Sequence, residues 1–179
     1  MKNKSVLWIT TTAVFVALLI GVQFATAPLS QFVTGPLVNL ILIISVMTCG
    51  FASGLTVAFI SPVFAKLLGI GPLWPIIPFI MAGNIVLILV WHTIGKMKFA
   101  NKYVVRIVAL IAAAVCKFAV LYIGIVQVAI PLFLNLPDAQ RAVISGMFSF
   151  PQLITALIGG VLATAILPVL EKIRTSRPD

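Results

Sequence analysis

Six runs of apolar residues follow one another along the chain, at about 6–27, 36–52, 55–70, 75–94, 104–130 and 148–170. A helix needs about 20 apolar residues to cross the hydrocarbon core of a bilayer, so these runs constrain the fold more than any motif does. In lipid, backbone N–H and C=O groups find no water and must be paired inside a helix or a closed barrel. Barrel strands would alternate apolar and polar residues over about ten positions, and none of the six runs does so. The expectation is an all-α integral membrane bundle of six transmembrane helices, forming a single domain over residues 1–179. Composition points the same way: 62% of residues are hydrophobic and 8% charged, whereas a soluble domain carries about a quarter charged residues.

Glycine and proline divide the runs. Gly35 and Pro36 are expected to open the second helix, because proline suits a first turn. Residues 50–54 are expected to form a tight hairpin before the third helix, although their GxxxG spacing also suits a packing face. Residues 69–72 end the third helix, and Pro75 and Pro78 begin the fourth. Residues 131–146 form the one long connection, in which Asp138 is expected to cap a short surface helix. The first run follows Lys2 and Lys4 and is too long for the apolar core of a cleavable leader, so it is read as a span.

Twelve Lys and Arg against three acids give a formal charge of +9. These charges fall between the apolar runs rather than along one face, a pattern that sets membrane topology rather than binding nucleic acid. Lys2 and Lys4 precede the first run, Lys96, Lys98, Lys102 and Arg106 lie between the fourth and fifth, and Lys172, Arg174 and Arg177 follow the sixth. With six spans all three groups share one side, which the positive-inside rule makes cytoplasmic together with both termini. Trp8 and Trp91 are then expected at the inner interface and Trp74 at the outer one. Cys49 and Cys116 lie inside apolar runs and read as small buried residues without a disulfide.

No catalytic constellation is visible. The one histidine, His92, lies near the inner end of the fourth run, and no acid lies within any run. There is no carboxylate pair, no metal-ligand cluster and no phosphate-cradling loop, so the chain is read as neither an enzyme nor an ATPase. The missing acids also disfavour an ordinary ion-coupled carrier. Lys117 lies inside the fifth run, where an ammonium costs about 2.5–3.5 kcal/mol on insertion scales. It either faces an interior pocket, with Ala113 and Gly124 on the same helix face, or snorkels to the outer interface. Asn84 and Asn39 carry amides that need partners in lipid, either a solute or another helix. Ser149, Pro151 and Gln152 begin the sixth helix, whose N-terminus can hold an anion, and Lys66 and Arg141 lie on the same outer side. These groups suggest an outward pocket preferring an anionic or amide-rich solute. Thr155, Gly159 and Ala163 recur at helical spacing and read as a close-packing face, as do Ala13 and Ala17 in the first helix.

Taken together, the pattern resembles the substrate-binding S component of energy-coupling factor (ECF) vitamin transporters. The residues that carry the resemblance are Ala13 and Ala17 in AxxxA spacing, Gly35-Pro36-Leu37-Val38-Asn39, the glycines near Gly50 and Gly54, and the proline-rich start of the fourth helix leading to Gly83-Asn84. It covers nearly the whole chain. It implies that Ala13 and Ala17 dock on a transmembrane coupling subunit. It places the solute site on the outer side, in regions that hold Asn84, Lys117, Gln152, Gln31, Trp74 and Arg141. It further implies that the chain needs no cofactor of its own, because two cytoplasmic ATPase subunits hydrolyse the ATP. The implied location is the cell (cytoplasmic) membrane. Lys117 and Arg141 tilt the substrate towards a carboxylate vitamin such as pantothenate or niacin. A stand-alone small transporter or channel is the other reading that the residues leave open.

Overall fold

The computed structural model describes residues 4–98 and 100–175. Lys2 and Arg177 lie outside the described residues, as do the side chains of Lys4 and Arg174. The described residues form helices joined by short loops, and none of them forms a strand. The helices are α1 (Lys4–Thr26), α2 (Gln31–Cys49), α3 (Phe51–Leu67), α4 (Ile77–Ile94), α5 (Lys102–Leu121), α6 (Ile130–Phe133), α7 (Asp138–Met147) and α8 (Phe150–Thr175). A single 3₁₀ turn, Trp74–Ile76, leads into α4, and π-helical turns over Tyr122–Ala129 join α5 to α6. Five segments are long and apolar enough to cross a membrane, and the 17-residue α3 is a shorter apolar helix. The six expected helices are therefore present.

α2 is the central element and packs on α1, α3, α4 and α8, while α5 packs on α4 and α8. Leu42, Ile43 and Val46 of α2 meet Leu87, Ile88 and Trp91 of α4 in the main core, with Ala109 and Ala113 of α5. A smaller cluster of Ile76, Leu121, Ile125, Ile130 and Phe148 closes the end of the bundle that carries α7. The α2–α8 contact is close because Gly159 lacks a side chain: a Cβ there would lie 2.6 Å from the Pro36 carbonyl and 2.7 Å from Asn39 Cβ. This is the small-residue packing expected of the Thr155, Gly159 and Ala163 face, which lies against α2.

Several boundaries differ from the expectations. Pro36 does not open α2; the helix begins at Gln31, and the first turn closes on Ser30, whose carbonyl accepts from Val33 N at 2.9 Å. Pro36 is buried inside the helix, where packing outweighs the one backbone bond it forgoes. Residues 50–54 divide their work. Gly50 alone makes the turn, at φ 91°, whereas Gly54 belongs to α3 and sits against Val46. Asp138 does not cap α7; Pro137 occupies that position and Asp138 is the first helical residue, where its charge still favours the helix N-terminus. Trp91 is fully buried in the bundle, with its ring beside Gly160, so it does not face outward as a belt residue would. The ends of α3 and α5 are satisfied locally. Ile70 N and Gly71 N both bond the Ala65 carbonyl, and Asn101 caps α5 by accepting from Val104 N at 2.9 Å.

Candidate functional site

Three polar residues from three helices meet inside the bundle. Lys117 Nζ of α5 donates to Asn39 Oδ1 of α2 at 2.6 Å and to Asn84 Oδ1 of α4 at 2.8 Å. All three are buried, with exposures of 4%, 1% and 3% respectively. Lysine has donors and no acceptor, so both asparagines must turn their carbonyls towards it. That fixes the orientation of both amides and leaves their NH2 groups without protein partners among the described residues. No carboxylate pairs with Lys117 among the described residues. Each carbonyl already accepts one bond, so the cluster has more free donors than free acceptors. Small residues hold the helices at this spacing: Gly159 lets α8 approach Asn39, and Gly83, beside Asn84, sits under Leu121.

The cluster lines a cavity of about 510 Å³ at the end of the bundle opposite the start of α1 and the end of α8. That size is within the range of small-molecule sites. Asn39, Asn84, Lys117, Gln31, Lys66 and Gln152 all line it, whereas Trp74 and Arg141 do not. Trp74 is 52% exposed beside the α4 start, and Arg141 is exposed on α7. The apolar wall is aliphatic, with Val38, Ile70, Leu73, Ile80 and Leu121 among its members. Two of the amides already have a task. Gln31 Nε2 and Gln152 Nε2 both donate to the Met147 carbonyl, at 2.9 and 3.1 Å. Met147 ends α7, where helix carbonyls lack intrahelical partners, so these two side chains tie α7 to α2 and α8 across the cavity mouth. The Ser149 hydroxyl likewise bonds the Ser145 carbonyl.

Gln23 of α1 also lines the cavity and was not anticipated. The signal that could have found it is an amide inside an otherwise apolar span. Away from the cavity, Ala13 and Ala17 are exposed on α1 and line a shallow apolar groove with Thr12, Val16, Thr56 and Ile60, between α1 and α3. Thr12 Oγ1 and Ser53 Oγ, 2.8 Å apart, join the two helices beneath it. At the far end of the bundle, Arg106 is buried and bonds Glu171 at 2.7 Å, with Lys102 3.6 Å from the same carboxylate. His92 packs its ring on Phe51 there, outside the cavity.

The described residues thus form an apolar helical bundle whose buried polar cluster lines a solute-sized cavity. The family model described as "ECF transporter, substrate-specific component" matches residues 8–171, nearly the whole chain. No curated protein and no solved structure matches it. The chain belongs to the family of ECF transporter substrate-specific components.

Proposed function

We propose that this membrane subunit captures a small water-soluble vitamin or related micronutrient carrying a carboxylate, on the outer side of the cell membrane. The observation that carries the reading is the Lys117–Asn39–Asn84 cluster. Each of its two carbonyls already accepts from the lysine, so the groups left for a solute are mostly N–H donors. A carboxylate accepts several such bonds and supplies the negative charge that the fold leaves out. The cavity lies at the end of the bundle remote from Lys96, Lys98 and Lys102, and the positive-inside rule then makes it outward-facing, with both termini cytoplasmic.

Delivery inward depends on an ECF module, the partner that the family implies. The proposal assigns it a transmembrane coupling subunit and two cytoplasmic ATPases, which hydrolyse the ATP. The exposed Ala13–Ala17 groove supplies a docking face: small side chains let another helix approach closely, which is how helices associate in lipid. Replacing Lys117 with Met tests the capture site. Equilibrium binding of the solute that co-purifies with the wild-type chain should weaken by at least about tenfold, roughly 1.4 kcal/mol. An unchanged affinity would remove Lys117 from the site and the carboxylate from the proposal.

A further inference from the structure

Gln23 is the one amide of the cavity lining with no hydrogen bond among the described residues. Asn39 and Asn84 are committed to Lys117, and Gln31 and Gln152 to the Met147 carbonyl. Gln23 Oε1 is buried and has no partner. Leaving a buried amide acceptor unpaired is costly, a cost that a bound solute relieves. A half-turn of the amide exchanges its oxygen and its NH2, so Gln23 can offer either a donor or an acceptor towards the cavity. It also stands at the junction with a side chamber of about 130 Å³, whose wall includes Pro62, Ala65, Pro72, Ile77 and Ile80. That chamber has no aromatic residue in its wall, and Phe148 is the one aromatic lining the main cavity. Phe148 is itself 6% exposed and packed into the smaller core cluster. Stacking on aromatic faces favours flat rings, and no pair of such faces lines the cavity among the described residues.

We infer that Gln23 is a specificity-determining residue. It reads an amide or hydroxyl group on an aliphatic carboxylic acid whose carboxylate sits at Lys117 and whose branched alkyl portion fills the side chamber. The inference rests on the capture reading above and narrows it to one solute class. An aromatic acid such as nicotinate offers Gln23 at most a ring nitrogen and leaves the side chamber empty. A neutral alcohol of the same shape engages Gln23 but leaves the donors around Lys117 unmatched.

Calorimetric titration of the purified full chain with three probes tests this. Pantothenate carries a carboxylate, an amide, hydroxyls and a branched alkyl group; panthenol replaces its carboxylate with an alcohol; nicotinate places a carboxylate on a flat ring. Pantothenate should bind at least tenfold more tightly than either of the others. Gln23→Leu, which keeps α1 apolar and helical, should lose at least tenfold for pantothenate while eluting as a folded monomer with unchanged helicity. Nicotinate binding as tightly as pantothenate, or an unaltered Gln23→Leu affinity, would overturn the inference and leave capture intact. So would a failure of all three probes alongside a co-purifying carboxylic acid that is aromatic or lacks any amide or hydroxyl, whereas a co-purifying solute with no carboxylate would overturn the capture reading as well. If no probe binds and no solute co-purifies, the capture reading itself fails, and the inference with it.

Discussion

At the scale of single residues, the polar groups within apolar helices carry the functional content. Lys117, Asn39 and Asn84 stood out in the sequence because each is expensive in lipid without a partner. Their mutual pairing was not legible, since it depends on how α2, α4 and α5 are brought together, which no local pattern encodes. Gln23 carries the same signal, an amide within an apolar helix, but its place in the cavity depends on how α1 packs. Trp74 and Arg141 entered through the region of chain they occupy, and both side chains lie outside the cavity lining. The cluster has a stability consequence as well. Asn84→Leu removes one acceptor from a buried amine, and an unsatisfied buried donor costs about 1–3 kcal/mol. The expected result is a lower thermal unfolding midpoint for the ligand-free protein. An unchanged midpoint would mean that water already satisfies Lys117.

At the scale of elements, the number of helices was legible and their ends were not. Runs of about 20 apolar residues announce a span, but Pro36 looked like a start and is interior to α2. A buried proline is tolerated where neighbouring helices compensate for it, and sequence does not show those neighbours. The face expected to unite Ala113, Lys117 and Gly124 is broken for a related reason. The π-helical turns from Tyr122 change the register, so Gly124 lies against Phe79 rather than beside the lysine. Pro131 follows these turns and has no N–H to continue the regular ladder. The α1 face belongs to this scale too. Ala13→Trp or Ala17→Trp fills the groove between α1 and α3 on its exposed side. Solute uptake by cells should be abolished while binding to the isolated protein is kept. Loss of both would make the pair a matter of internal packing.

At the scale of the whole molecule, the bundle separates two tasks. One end holds a cavity whose described lining includes no acid, and the other holds the paired charges of Arg106, Lys102 and Glu171. Glu171 lies near the end of α8, remote from the cavity, and no His, Cys, Asp or Glu cluster able to hold a metal ion occurs among the described residues. Ion-coupled carriers typically rely on intramembrane ionisable groups, and here Lys117 is committed to two amides. The proposed role is therefore capture of solute by a subunit whose driving force comes from the ECF module. Reconstitution into liposomes tests that division most directly. The chain alone should bind its co-purifying solute without moving it, and accumulation should require the coupling subunit, both ATPases and ATP. Solute accumulation by the chain alone, with no other subunit present, would contradict the account.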